Sequence, residues 1–236
     1  MGLCALEVVR EAFVNAGNLQ TRVRIAGVGR VGGPTSLIYS DDLGQTWKQQ
    51  PLSIGTAEKA AMAIDVHFFD FNNGIIAAAS SASVQDSHAL ILATSDGGKT
   101  WEKRFESNRP FELTWKIAFP SRQTGYVTIQ SYNPDTSASQ RFVAKTVDGG
   151  KNWSEIPLID DNGVRQFGVA FVDDTYGWVG AMPYGFETRD GGKSWTRTTF
   201  GNAVNKIRVL NLPDSVHAYA IGTKVHSLNV TQKPGQ

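Results

Sequence analysis

Residues 188–195 read TRDGGKSW, and this short stretch decides the fold. Asp-Gly-Gly between two β-prone runs is a strong signal for a tight hairpin turn. The glycines permit positive φ, and the aspartate can accept hydrogen bonds from the backbone N–H groups of its own turn. The tryptophan then opens the next strand and buries a large ring whose indole N–H needs an acceptor. The same pattern recurs as SDDLGQTW at 40–47, TSDGGKTW at 94–101 and TVDGGKNW at 146–153. Its shared form is [ST]-x-D-x-G-x-[TSN]-W. It is carried by Ser40, Asp42, Gly44 and Trp47; by Thr94, Asp96, Gly98 and Trp101; by Thr146, Asp148, Gly150 and Trp153; and by Thr188, Asp190, Gly192 and Trp195. The four tryptophans follow one another at intervals of 54, 52 and 42 residues. Repetition at such a period marks a repeat architecture.

Working outward, a second pattern precedes each box. EAFVN (11–15), VHFFD (66–70), IAFPS (117–121), VAFVD (169–173) and IRVLN (207–211) each read as the first strand of a unit. Runs such as GIIAAAS (74–80), GYVTIQS (125–131) and GWVGAM (177–182) follow as second strands. A third strand leads into the box and a fourth starts at its tryptophan. Four short antiparallel strands make one propeller blade. The predicted fold is therefore an all-β propeller forming a single domain, with blades at roughly 8–50, 64–107, 114–157, 165–199 and 204–230. The fifth blade has no box and no evident fourth strand. Either residues 2–9 supply that strand and close a small ring, or the five blades are part of a larger one.

The boxes resemble the Asp-box, or BNR, repeats of sialidase-type β-propellers. The run YGWVGAMPYGFETRDGGKSW (176–195) is similar to repeats of the photosystem II stability and assembly factor family and its bacterial relatives. The resemblance covers nearly the whole chain and is specific for fold rather than function, because one fold hosts many functions. It implies a non-enzymatic scaffold that binds a protein partner, such as a membrane-protein assembly intermediate. The alternative it implies is a sialidase-type glycoside hydrolase or a glycan-binding module.

Composition narrows the field. The 236 residues carry 23 Lys and Arg against 22 Asp and Glu, a net charge of +1. A protein held to nucleic acid by bulk charge would be strongly basic. The lone cysteine, Cys4, excludes an internal disulfide framework and a cysteine-based zinc site. His67, His88, His217 and His226 lack metal-ligand spacing. Apolar runs fall short of the length that spans a membrane. Residues 1–10 lack the basic start and long apolar stretch of a secretory signal. The expected compartment is the cytoplasm by that criterion, or an extracytoplasmic one if the chain begins within a longer protein.

Several motifs have structural readings that outweigh the functional ones. Gly27, Gly29 and Gly32 mimic a dinucleotide-binding loop, but Pro34 and the first box leave no room for the crossover helix such a loop needs. Gly98-Lys99-Thr100 and Gly192-Lys193-Ser194 lack the earlier glycine of a phosphate-binding loop, since Ala93 and Glu187 stand there. No cofactor or metal is expected. Asn108-Arg109-Pro110 and Arg24-Ile25 are poor echoes of the sialidase Phe/Tyr-Arg-Ile-Pro motif, and Asp160 and Asp161 are adjacent rather than facing. No catalytic residue is assigned.

A ligand is expected on the face opposite the boxes, where loops join blades and where strands two and three turn. The longer loops there are 51–63, 79–88, 104–114, 131–140 and 157–165. They carry Arg104, Arg109, Glu112, Asp160, Asp161, Arg165, Tyr132 and His88. Arg109 and Arg165, with Lys116 and Lys206 near the starts of inner strands, would form a basic mouth suited to acidic peptide segments or carboxylates.

Overall fold

The computed structural model describes residues 2–29, 34–52, 62–200, 202–212, 214–228 and 230. Among them are nineteen β-strands and one short 3-10 turn at Val84–Asp86. Among the described residues no helix is long and apolar enough to cross a membrane. The strands form five antiparallel sheets, four of four strands and one of three, and they fall in two compact units, Met1–Thr114 and Trp115–Gln236.

The first unit holds two sheets. One is β1 (Leu3–Asn15), β2 (Asn18–Gly29), β3 (Ser36–Ser40) and β4 (Lys48–Pro51); the other is β5 (Met62–Phe68), β6 (Gly74–Ala79), β7 (Ala89–Thr94) and β8 (Glu102–Glu106). The second unit holds β9 (Glu112–Ala118, opening at the end of the first unit), β10 (Gly125–Ser131), β11 (Gln140–Thr146) and β12 (Ser154–Asp160). It continues with β13 (Arg165–Phe171), β14 (Gly177–Met182), β15 (Gly185–Thr188) and β16 (Thr196–Thr198), then β17 (Lys206–Asn211), β18 (Val216–Ile221) and β19 (Val225–Leu228). Every sheet is a meander in chain order, so each strand pairs with the one before it.

A phenylalanine, a glycine and the box tryptophan recur together in three sheets. Phe68 lies opposite Gly74, and Phe171 opposite Gly177, across the first strand pair. A Cβ on Gly74, Gly125 or Gly177 would stand 2.7, 2.3 or 2.3 Å from the ring of Phe68, Phe119 or Phe171. Only glycine lets the ring lie flat on the neighbouring strand. The same rings meet Trp101, Trp153 and Trp195 edge-on at centroid distances of 6.3, 6.0 and 6.4 Å, a favourable aromatic geometry.

The first sheet departs from this. Phe13 stands 27 residues before Ser40, the interval that separates Phe119 from Thr146, and this invites placing EAFVN at the start of the unit. The register instead puts Val8 opposite Ile25 and Ile25 opposite Ser40, so Val8 and Ile25 take the phenylalanine and glycine positions. Residues 11–15 belong to the end of a long hairpin closed by Ala16 and Gly17, both at positive φ. Residues 3–9 pair with β2 as the inner strand of the first sheet, so they are not a fourth strand for the fifth. Gly27 and Gly29, the glycines of the apparent dinucleotide motif, lie in β2 under β1: a Cβ on Gly29 would stand 2.4 Å from the carbonyl oxygen of Gly2. Gly32 and most of the loop 51–63 lie outside the described residues.

Neighbouring sheets within a unit are clamped by polar side chains. In the first unit Arg24 donates to Asp41 at 2.7 Å and to the carbonyl of Phe71 at 3.1 Å. In the second, Tyr126 stacks on Phe171 with centroids 3.7 Å apart and its hydroxyl donates to the carbonyl of Asp174 at 2.9 Å. Burial, with Asp174, Asp173 and Asp190 adding to it, pushes the Tyr126 phenol well up, so it remains a donor.

Candidate ligand face and the structural boxes

The box residues bond within their own turns, except that the indole N–H of Trp195 in the fourth box is buried without a partner. In the second box Thr94 Oγ1 donates to Asp96 Oδ1 at 2.8 Å and accepts from Gly98 N at 2.9 Å. Thr100 N donates to Asp96 Oδ1 at 2.9 Å, and Trp101 Nε1 donates to the carbonyl of Gly98 at 3.1 Å. The first box matches through Ser40, Asp42, Gly44, Thr46 and Trp47, and the third through Thr146, Asp148, Gly150, Asn152 and Trp153. In the fourth, Thr188, Asp190, Gly192 and Ser194 repeat the same bonds. The two residues at the turn's corner have positive φ, namely Gly97 and Gly98, Gly149 and Gly150, and Gly191 and Gly192. In the first box Leu43 takes that corner at φ 60°, a conformation unfavourable for a side chain with a Cβ.

These bonds hold the aspartates as carboxylates. Asp42, Asp96, Asp148 and Asp190 are each lowered to about 2. The hydroxyl and backbone N–H of Thr46 lower Asp42, and those of Ser194 lower Asp190; at Asp148 the Asn152 N–H leads. At Asp96 desolvation is the largest influence and opposes the shift, but the bonds from Thr100 and Thr94 together outweigh it. A carboxylate lowered in the folded state stabilises it fully above its unfolded value near 3.8, and the contribution fades as pH falls through about 2. Between those values the unfolded chain binds more protons. Replacing Asp148 by Asn is therefore expected to lower proton uptake on unfolding between pH 4 and 2 by about one proton. Urea midpoints measured across that range check this.

The candidate ligand residues are distributed over both units. Arg109 lies in the first, where its Nε and Nη2 donate to the two oxygens of buried Glu112 at 2.7 and 3.1 Å. Arg104 pairs with Glu102 at 2.6 Å, and His88 Nδ1 lies 2.7 Å from the carbonyl of Ser107. Lys116, Arg165 and Lys206 lie in the second unit on β9, β13 and β17. Those three inner strands are tied side by side: Lys116 N donates to Thr128 Oγ1 at 3.1 Å, Thr128 donates to the carbonyl of Phe167 at 2.7 Å, and Gly168 N donates to the carbonyl of Val204 at 3.1 Å. Trp115 and Phe167 meet edge-on at 5.7 Å across the same seam.

Arg165 opens β13 at the end of the sheet away from the boxes. Its Nη1 donates to the carbonyls of Asn162 and Val164 at 2.9 and 3.3 Å, and its guanidinium lies 5.8 Å from the ring centroid of Tyr132. The Tyr132 hydroxyl donates to Gln130 Oε1, and Gln130 Nε2 donates to the carbonyl of Gln166 at 2.9 Å. Burial raises the Tyr132 phenol, with Arg165 acting against it. Among the described residues Arg165 has no carboxylate within ion-pair distance. The seat is rigid, because the same two carbonyls, of Asn162 and Val164, also accept from the buried Arg141 at 2.8 and 3.1 Å.

The carboxylates of the same loop are engaged locally. Asp161 accepts from Tyr184 Oη at 2.7 Å and from Gly163 N at 2.9 Å, and these bonds lower it; burial, followed by the bond to Asp161, raises Tyr184. Asp160 accepts from Ser139 Oγ. Arg141, Tyr184 and Gln130 escape a reading of the sequence. Each is an ordinary residue of a β-rich run, and its role depends on a loop folded back over it. The sequon asparagine Asn152 donates to Asp148 at 2.7 Å within its box; the second sequon, at Asn229, lies outside the described residues.

A family model for the BNR/Asp-box repeat matches residues 38–49, the first box and its flanks. No curated protein matches the chain. Among solved structures, the GH74 xyloglucanase from Xanthomonas campestris is similar at 16% identity and a TM-score of 0.59, over 86% of this chain and 34% of that one. An ancestral GH74 enzyme is similar at 13% identity and a TM-score of 0.55, over 87% and 29% of the two chains. A structure of YCF48 bound to D1 peptide aligns at 15% identity and a TM-score of 0.41, over 90% and 76%. The chain thus spans about a third of the GH74 enzymes and about three quarters of that YCF48 chain. At such identities the likeness is one of fold. With four boxes folded as hairpin turns and four sheets of four meandering strands beside one of three, the chain is an all-β protein with a β-propeller fold, and its first box matches the BNR/Asp-box repeat.

Proposed function

We propose that this chain is a non-catalytic binding module whose second unit takes an acidic peptide segment of a protein partner at Arg165. One observation carries the reading. Arg165 is held by two backbone carbonyls beside Tyr132, which is 38% exposed, and no carboxylate of the described chain neutralises it. A guanidinium fixed in this way offers a planar fork to an incoming carboxylate. The neighbouring aromatic ring supplies amphipathic contact area at little entropic cost. Lys116 and Lys206 lie on the flanking inner strands β9 and β17. The glycoside hydrolase alternative requires two facing carboxylates, and it draws less support from a loop whose Asp160 and Asp161 accept from Ser139 and Tyr184.

The test is fluorescence anisotropy with a labelled peptide rich in Asp and Glu, beside an isosteric Asn/Gln peptide. The acidic peptide is expected to bind more tightly, with affinity falling as salt rises. Arg165→Ala should weaken it about 10-fold, the worth of one charge-assisted bidentate contact. Arg165→Lys should restore only part of the loss. Equal affinity for the two peptides, or an unaffected Arg165→Ala, would sink the proposal; cleavage of an oligosaccharide would replace it with the hydrolase reading.

A further inference from the structure

A second guanidinium reaches the loop that seats Arg165, from the far edge of the same sheet. Arg197 lies on β16, opposite Phe186. Its guanidinium is 4.3 Å from the ring centroid of Tyr184, and its Nη2 stands 3.8 Å from Asp161 Oδ2. That separation is beyond hydrogen-bond reach. Both oxygens of Asp161 are engaged already, Oδ2 by Tyr184 and Oδ1 by Gly163. Among the described residues Arg197 donates no hydrogen bond, and its side chain is 59% exposed. Arg165 and Arg197 therefore form a matched pair. Each guanidinium lies beside a tyrosine ring, Tyr132 or Tyr184, and each meets the connection between β12 and β13, at the adjacent residues Asn162 and Asp161.

The fold sets the spacing of the two. The sheet runs β13, β14, β15, β16, so Arg165 and Arg197 stand on its two edge strands. Three strand intervals of about 4.8 Å put those backbones about 14 Å apart. The surface between them is apolar. Met182 is paired with Arg165 and is 38% exposed, Pro183 after it is exposed, and Tyr184 follows under Arg197. An extended peptide advances about 3.3 Å per residue and points successive side chains to opposite faces. Side chains four residues apart therefore share a face and stand about 13 Å apart. The side chain midway between them points the same way. Side chains three apart face opposite sides.

We infer that Arg197 is a second anion seat of the Arg165 site, and that the extended segment it selects carries two acidic residues four apart, with an apolar residue midway over Met182 and Pro183. The inference rests on the reading of Arg165 as a carboxylate seat and adds a register to it. A single arginine accepts an acidic segment of any spacing. Two planar forks at a fixed separation reward one spacing over others, and specificity is that difference in affinity. The nearest competitor is Asp161. Its bonds to Tyr184 and Gly163 hold it in place, and they leave the donors of Arg197 to an incoming carboxylate.

Fluorescence anisotropy on the full chain with two labelled peptides of identical composition tests this. One peptide carries Glu-Ser-Leu-Ser-Glu in a Gly/Ser chain; the other carries its two glutamates side by side, so that only one faces the sheet. At salt near 0.15 M, where distant surface charges are screened, the spaced peptide is expected to bind about 10-fold more tightly, the worth of one added charge-assisted contact. Arg197→Gln should abolish that advantage and leave the adjacent-glutamate peptide within about 2-fold of its wild-type affinity, whereas Arg165→Ala should weaken both. Arg197→Lys should recover part of the preference. Equal wild-type affinity for the two peptides, with Arg165→Ala still weakening both, overturns the inference and leaves the Arg165 reading standing. Equal losses for both peptides in Arg197→Gln also overturn it, since they would mark a diffuse field rather than a seat. Arg165→Ala without effect on either peptide sinks the reading beneath it. Thermal melting establishes that each variant is folded, and the comparison of the two peptides on the wild-type chain requires no variant.

Discussion

Trp101→Ala is expected to destabilise the protein by about 3–5 kcal/mol, the range for truncating a large aromatic side chain in a packed core. The same change at Trp47 is expected to cost less than half as much. Both indoles hold their turn in the same way, with Nε1 donating at 3.1 Å to the carbonyl of the box glycine. Their surroundings differ. Trp101 is 2% exposed, lies edge-on to Phe68 and sits within the core shared by the first and second sheets. Trp47 has no phenylalanine beside it, because Val8 stands at that register position, and half of it is open. The pair separates the two things a box tryptophan does. The indole hydrogen bond, common to both, is worth about 1 kcal/mol. The remainder at Trp101 is burial and the cavity left behind. Urea unfolding of the two variants at micromolar concentration measures the difference. Equal losses would show that the box turn itself, rather than packing between sheets, carries the stability of a blade.

The same comparison shows what can be read from a linear sequence and what cannot. The boxes were legible because their bonds are local: Thr94 and Thr100 bond Asp96, and Trp101 bonds the carbonyl of Gly98, all within eight residues, so spacing alone encodes the geometry. The glycines that open second strands were visible too, although their cause lies across the sheet in Phe68, Phe119 and Phe171. The first sheet misled because Phe13 stands at the right interval from Ser40 while belonging to a hairpin extended by several residues. Register depends on pairing, and the pairing of Val8 with Ile25 leaves no mark that counting residues would find. The ligand face was legible only as a collection of loops. Arg109 and Arg165 look alike in sequence. The structure gives one of them a buried carboxylate, Glu112, three residues away, and the other a pair of backbone carbonyls and an aromatic neighbour.

The residue that underlies that face is Arg141, and its replacement is the second large expected effect. Arg141 lies on β11 and is 2% exposed. Its Nη1 donates to the carbonyl of Ala138 at 2.7 Å, its Nη2 to that of Asn162 at 2.8 Å and its Nε to that of Val164 at 3.1 Å. One guanidinium thus ties the loop before β11 to the connection that leads into β13. Its charge also favours the ionised form of Asp161. Arg141→Met preserves much of the volume and removes every donor. The carbonyl of Ala138 would lose this donor and those of Asn162 and Val164 would keep only Arg165, and each under-satisfied acceptor costs on the order of 1–3 kcal/mol unless water enters. The expected loss is about 3–5 kcal/mol, a fall in melting temperature on the order of 10 °C for a chain of this size. Arg141→Lys keeps the charge but cannot span three carbonyls from one planar head, so it should recover only a minor part. A second readout separates this role from general stability. Because the carbonyls of Asn162 and Val164 also seat Arg165, amide exchange in residues 161–165 should accelerate in Arg141→Met more than exchange in β14, which shares the sheet but not the contact. Uniform acceleration through the second unit would mean that Arg141 supports the core and leaves the placing of Arg165 to its own loop.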